Sequence, residues 1–223
     1  MTISVIIPAL NEERTVGGAI HSARGSGEVI VVDGGSGDGT REVAEKHGAR
    51  VVRGGRGRGL QIDEGAKAAT GDILLFLHAD TRLPAGWPAV VTRAMAPPGV
   101  AGGAFRLKID SPRTIFRLIE GAANMRARCL GLIFGDQAIF TEKETFFALP
   151  SLRGLPLMED VECVKRLRRR GKVVVVSVSV ATSPRRWGKG RALSTTLKNL
   201  SLLIRYLLGA SPEKLYLTYY RNR

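Results

Sequence analysis

With 223 residues, 44% of them hydrophobic and 24% charged, the chain can bury one sizeable core and has the composition of an ordinary globular domain. Its formal net charge of +14 favours anionic partners, whether nucleic acid, acidic lipid surfaces or phosphorylated small molecules. Two cysteines, Cys129 and Cys163, exclude a disulfide framework and lack metal-ligand spacing, so reduced, buried thiols in a cytosolic protein are expected. No stretch is apolar for long enough to cross a bilayer, and the apolar start at Met1 lacks the basic leader of a signal peptide.

In chain order, Ile3 to Ile7 reads as a buried strand ended by Pro8, and Asn11 as the N-cap of a helix with Glu12 and Glu13 in its first turn. Val16, Ala19, Ile20 and Ala23 then line one helical face. A second strand, Glu28 to Val32, leads into Asp33-Gly-Gly-Ser-Gly-Asp-Gly-Thr40 and a short helix from Arg41 to His47, stopped by Gly48. Ala49 to Arg53 is a third strand, followed by Gly54-Gly-Arg-Gly-Arg-Gly59 and a helix from Leu60 to Ala69. Ile73 to Leu77, a short apolar run opened by Gly71, predicts a strand buried on both faces, with His78, Ala79 and Asp80 at its carboxyl end. Strand and helix alternate four times, which calls for a largely parallel α/β sheet with right-handed crossovers. In such sheets ligands bind at the carboxyl rim.

The second half is less regular. Trp87 to Ala96 predicts a helix, and Gly102 to Ile109 alternates as a half-exposed strand. Arg113 to Leu130 is amphipathic and basic; Gln137 to Thr141 and Val173 to Val180 read as strands, and Met158 to Arg170 as a helix closed by Gly171. Leu193, Leu197, Leu200, Ile204 and Leu207 recur at alternating four- and three-residue intervals, with Lys198 and Arg205 off the stripe. That stripe packs on the core, pairs with a second subunit or lies on a membrane; core or dimer packing is the expected case. Residues 1–190 therefore read as one domain and 191–223 as a C-terminal amphipathic helical extension.

Each motif has a plain and a chemical reading. Asp33 to Thr40 lacks the GxGxxG spacing of dinucleotide sites; it is a tight βα turn or an amide-lined cradle with a carboxylate. Arg56 and Arg58 offer guanidinium forks to phosphate oxygens, or are solvated. Asp80 caps the turn before Pro84, or holds a hard cation that bridges diphosphate oxygens. Glu159 and Asp160 suit the positive end of a helix dipole, or one of them takes a proton from an attacking hydroxyl.

Jointly the pieces are more specific. Val5-Ile-Ile-Pro-Ala-Leu-Asn-Glu-Glu13, Val31-Val-Asp-Gly-Gly-Ser-Gly-Asp-Gly-Thr40, Gly71-Asp72 through His78-Ala-Asp80, and Glu159-Asp160 with Arg166-Leu167 and Gly171 occur in this order. Over roughly residues 2 to 175 the chain resembles family 2 glycosyltransferases. The resemblance implies an α/β GT-A fold, a Rossmann-like nucleotide-diphospho-sugar transferase fold with a mostly parallel central sheet flanked by helices. It also implies transfer of sugar, with inversion, from a nucleotide-diphosphate donor to an acceptor hydroxyl. Gly102-Gly-Ala-Phe105, Gly135-Asp-Gln137 and Leu157-Met-Glu-Asp160 are similar to a narrower bacterial subgroup, labelled arsenosugar-biosynthesis or radical-enzyme-associated transferases.

Carried over by position, the resemblance puts Pro8, Ala9 and Glu12 at the nucleoside and Asp33 near the base or ribose. Gly34 replaces the second of two successive acids, which leaves the choice of base open. Arg56 and Arg58 approach the diphosphate. Ala79 and Asp80 also lie on the donor side, where Asp80 matches the last acid of the DXD motif and holds Mg²⁺ or Mn²⁺ with diphosphate and water. His78 stands at the first acid, either as a second ligand or as a hydrogen-bonded structural residue. Asp160 is the base, with Glu159 second, and Gly103, Gly135, Asp136 and Gln137 lie on the acceptor side. The expected setting is the cytoplasm, free or peripheral to the inner face of the membrane, with a homodimer through the C-terminal helix as a further option. A sugar-phosphate nucleotidyltransferase would carry a Gly-rich loop where Pro8-Ala-Leu-Asn11 stands. A nucleic-acid-binding module would concentrate basic residues that here are dispersed, so no nucleic-acid partner is expected.

Overall fold

Aliphatic and β-branched runs form the central strands of the structure, a computed structural model that describes residues 1–25, 27–188 and 192–220. Every residue of β1 (Ile3–Ala9) is buried, with β2 (Glu28–Asp33) on one side and β4 (Ile73–Phe76) on the other, both parallel to it. β3 (Arg50–Arg53) extends the parallel set beyond β2. The full order is β3-β2-β1-β4-β7-β6-β8-β5, where β5 is Thr81–Arg82, β6 Val100–Ile109, β7 Ile139–Glu142 and β8 Lys172–Thr182. β7 runs antiparallel to β4 and β6, and β5 antiparallel to β8; the rest share one direction.

Helices cover both faces because the strands are apolar on both. Ile3, Val5, Ile7, Leu75, Phe105 and Phe140 pack with α1 (Val16–Ser22), α2 (Thr40–Lys46) and α4 (Trp87–Met95). Ile6, Val32, Leu74 and Phe76 pack on the other face with α3 (Arg58–Ala68) and α7 (Glu159–Arg168). α3 lies so close that a Cβ at Gly65 would meet Ile6 Cγ2 at 2.4 Å.

Two readings of the N-terminal region change. Pro8 does not end β1, which continues to Ala9 and pairs Pro8 with Val32. The Ile6 carbonyl accepts from Leu77 N at 2.9 Å, so by strand alternation Pro8 also faces β4, beyond the last paired residue of that strand. Its missing N–H therefore costs no ladder bond. Asn11 is not a helix cap: it adopts φ +56, and α1 starts later, after Thr15. Its amide oxygen accepts from Gly37 N at 2.9 Å and its own N–H donates to Ser36 Oγ at 2.9 Å, tying the first strand end to the second. Asn tolerates this left-handed geometry better than most residues. Cys129 is exposed, on α5 (Thr114–Leu130), rather than buried; Cys163 is buried.

In the C-terminal region the stripe, expected to pack on the core or on a second subunit, points away from the core. Leu193, Leu197, Leu200, Ile204 and Leu207 of α8 (Ala192–Leu207) are 42–60% exposed. Ala192, Leu202 and Leu203 are buried instead. The two leucines pack with Leu157, Met158 and Val161 and with Leu215 of α9 (Pro212–Tyr220). The Tyr206 hydroxyl donates to Glu162 on α7. Residues 189–191, where the extension was expected to begin, and its end at 221–223 lie outside the described residues.

Leu203→Ala should therefore cost about 2–4 kcal/mol of unfolding free energy and Leu197→Ala less than about 0.5 kcal/mol. Urea unfolding of both variants checks this; equal losses would mean that the outward stripe is also packed.

Candidate active site

The strand β4 ends at Phe76, and the chain turns through His78, Ala79 and Asp80 before β5. Thr81 N donates to His78 O at 3.0 Å to close the turn. Ser183 N donates to Asp80 O at 3.0 Å, and Thr81 Oγ1 bonds Thr182 Oγ1 at 3.0 Å. The turn is thereby clasped to the end of β8, and the 3₁₀ segment Pro184–Trp187 follows directly. Arg185 Nε comes within 3.5 Å of Asp80 Oδ2 and Arg186 Nε within 3.9 Å. That carboxylate oxygen is buried and accepts no hydrogen bond. Arg185 also pairs with Glu12.

His78 sits between two guanidinium groups, with Arg58 Nη1 3.4 Å from its Nε2 and Arg186 Nη2 3.2 Å from its Nδ1. Burial, then the charges of Arg186 and Arg58, hold its pKa well below the usual histidine value, so the ring is neutral. A metal ion on His78 would have to displace an arginine, which favours the structural role for this side chain.

The start of α7 supplies the facing acids. Met158, at φ +64, turns the chain into the helix, and Glu159 is buried against Arg58, with Nε 2.9 Å from Oε1. Burial raises the Glu159 pKa; Arg58 opposes the rise and Asp160 adds to it. Asp160 accepts Gly135 N at 2.7 Å on Oδ2 and Val161 N at 2.8 Å on Oδ1. Gly135 has no room for a side chain: a Cβ there would lie 2.6 Å from His78 Nε2 and 3.3 Å from Asp160 Oδ2. Asp136, next in that 3₁₀ turn, is half-buried, and its Oδ1 is buried and accepts no hydrogen bond. Burial raises its pKa against Arg186 and Arg126, and the charges of Asp160 and Asp80 raise it further. Arg58, His78, Asp136, Glu159, Asp160 and Arg186 line one cavity, and Thr195, Asn199 and Leu202 of α8 form its far wall.

The other expected residues divide. Pro8 adjoins Arg58, His78, Gly135 and Asp160 around a smaller void. Ala79 is buried in the turn, and Arg56 is exposed on its loop. Gln137 is buried and donates to Phe105 O at 3.0 Å. Asp33 spends its carboxylate on its own turn, accepting Ser36 N at 3.1 Å and Gly35 N at 3.3 Å, with Arg41 Nε 3.6 Å away. Gly103, expected on the acceptor side, lies inside the sheet: a Cβ there would meet the Phe140 ring at 2.5 Å and Val174 O at 2.8 Å.

Sequence reasoning missed Arg185, Arg186, Arg126 and Gln61. The two arginines follow a strong β run, so their place at a strand's carboxyl end was a readable signal. Arg126 lies in the middle of a helix, where nothing local marks it. Gln61 donates to Ala9 O at 2.9 Å and Val32 O at 3.2 Å, filling the space a Cβ on Gly34 would need, 2.4 Å from its Nε2.

Among the described residues no group of three or more His, Cys, Asp or Glu side chains is arranged to hold a metal ion. At the end of β4, Asp80 offers a buried carboxylate oxygen that accepts no hydrogen bond. This fits a hard divalent cation that takes its remaining oxygen ligands from a bound diphosphate and water.

Residues 4–154 match the model of Glycosyl transferase family 2, and the chain belongs to that family. It is 36% identical over 85 residues to the uncharacterized glycosyltransferase Rv0539 of Mycobacterium tuberculosis, a match covering 38% of this chain and 39% of the relative. Glucosyl-3-phosphoglycerate synthase of Mycolicibacterium smegmatis is 37% identical over 93 residues, covering 35% of this chain and 31% of the relative. These matches thus span well under half of either relative's length. Among solved structures, glucosyl-3-phosphoglycerate synthase from Mycobacterium tuberculosis, in complex with Mn²⁺ and uridine-diphosphate-glucose, superposes with a TM-score of 0.61 at 24% identity. The superposition covers 91% of this chain and 78% of that one. The fold is therefore GT-A.

The state of Asp136 can be read from pH. Its raised pKa lets the folded protein keep a proton that the unfolded chain has lost, so this group's contribution to stability falls as pH rises from the ordinary carboxylate value through the raised one. Asp136→Asn should gain stability relative to wild type as pH rises above the ordinary carboxylate value of about 4. Urea unfolding across that range checks it; a difference that does not change with pH would mean an ordinary carboxylate.

Proposed function

We propose that the protein is an inverting glycosyltransferase that moves a sugar from a nucleotide-diphosphate donor to an acceptor hydroxyl. The observation that carries this reading is the approach of two acids to Asp136, which feels the charge of both: Asp160, which lines the cleft at the opening of α7, and Asp80, which has an unbonded oxygen and lines a neighbouring cavity. They are linked through Arg186, which reaches Asp80 and lines the cavity beside Asp160.

Asp80 would hold Mg²⁺ or Mn²⁺, which supplies positive charge against the departing diphosphate. Arg185 and Arg186, already at Asp80, and Arg58 beside His78 face the same negative charge and fix the donor's tail. Pro8, Ala9, Glu12 and Asp33 border the nucleoside. Asp160 takes the acceptor's proton as the acceptor oxygen bonds the sugar carbon and the bond to the diphosphate oxygen breaks on the opposite face. Its two backbone N–H donors keep the carboxylate aimed. Neutral His78 separates Arg58 from Arg186 without adding a third positive charge. Gly135 and Asp136 form the acceptor-side wall.

The narrower bacterial subgroup is part of this reading, supported by the way its three segments meet: Gly135 bonds Asp160, and Gln137 bonds Phe105. The superposed synthase, whose complexes hold Mn²⁺ with uridine-diphosphate-glucose or with phosphoglyceric acid, supports a divalent ion and a nucleotide-sugar donor here. The outward face of α8 is on this reading a contact surface rather than core.

Asp80→Ala and Asp160→Asn should each reduce transfer by at least about 100-fold. Nucleotide-sugar binding, read as thermal stabilisation with and without Mn²⁺, should weaken in the first and survive in the second. Unchanged donor binding in both variants, with transfer intact, would refute the assignment.

A further inference from the structure

Two helices that share a packing cluster, Phe116 and Ile119 of α5 with Trp187 and Ala192, carry apolar side chains turned away from it. On α8 these are the five residues of the outward stripe, continued by Leu208 at 82% exposure. On α5 they are Leu118 at 68% and Met125 at 65%. The charged residues exposed on these two helices are basic: Arg117 and Arg128 on α5, Arg205 on α8. α8 contains no acid, and the one acid of α5, Glu120, is half-buried and paired with Arg117 at 2.8 Å.

We infer that this face docks on an anionic phospholipid bilayer, with α8 lying along the interface. Leucines on one side and cations at the flanks are what an interfacial helix needs: apolar area for the acyl boundary and positive charge for the headgroups. A second copy of the chain fits less well. It would set basic faces against each other in a protein of net charge +14. Insertion across the bilayer is a different matter, since among the described residues no helix is long and apolar enough to cross it.

The inner face of the same helix carries Thr195, Asn199 and Leu202 into the cleft beside Asp160. Surface and cleft are therefore separated by about one helix diameter, roughly 10 Å. A docked bilayer would hold the cleft at the lipid surface, where a headgroup-borne hydroxyl or a soluble acceptor can both reach it. The docking itself does not depend on the sugar-transfer reading, because it is measured as vesicle partition and not as turnover.

The test is co-sedimentation of the full chain with vesicles of phosphatidylcholine alone and of phosphatidylcholine mixed equally with phosphatidylglycerol. It uses wild type and the double variant Leu197→Ser, Ile204→Ser, with sedimentation equilibrium and thermal unfolding run in parallel. Both substituted positions are exposed, so the unfolding temperature should hold. Wild type should partition to the mixed vesicles, more weakly at raised salt, and the variant should lose about tenfold or more in partition. Absence of partition at low salt, or undiminished partition of the variant, would overturn the inference. So would a solution dimer that the same two substitutions dissociate, because a second copy would then cover the face.

Discussion

The clasp between the Asp80 turn and the end of β8 is the contact on which the rest of the cleft depends. A backbone N–H from Ser183 and a hydroxyl pair between Thr81 and Thr182 join segments about a hundred residues apart in the chain. The bonds are ordinary, each a net contribution of about 1 kcal/mol. Their consequence is positional: two arginines follow the clasp directly after Pro184, and the clasp delivers them to Asp80, whose Oδ2 is buried and accepts no hydrogen bond.

Around that point the charges are arranged by mutual neutralisation. Asp80, Asp136, Glu159 and Asp160 are interleaved with Arg58, Arg126, Arg185 and Arg186. Four carboxylates this close would otherwise repel; alternation lets all four be buried or half-buried, with Arg185 and Arg186 reaching in from the surface. Neutral His78 completes the arrangement, and burial keeps it neutral. Asp160 holds two backbone donors while Asp136 keeps an unbonded oxygen, and burial raises the pKa of Asp136.

The C-terminal helices contribute in two directions. Their inner leucines close the cleft at α7, while their outer leucines leave an apolar, positively flanked surface. A helix with apolar residues on both sides carries two periodic signals. The stronger one in the sequence belongs to the side that the domain does not cover.

What the sequence determined by itself was the alternation of strands and helices, the parallel half of the sheet, the strand-end turn that carries Asp80 and the helix start that carries the Glu159-Asp160 pair. These are legible because burial on both faces demands unbroken apolar runs, and because turns at strand ends demand Gly, Pro, Asn and Asp. Only the tertiary structure decided that Arg185 and Arg186 meet Asp80, that Gln61 fills the space beside Gly34, that Gly103 serves sheet packing, and that the α8 stripe faces outward. Each of these depends on which distant side chain stands opposite. Local periodicity reports how apolar a face is, and it carries no information about the neighbour that covers that face or leaves it bare.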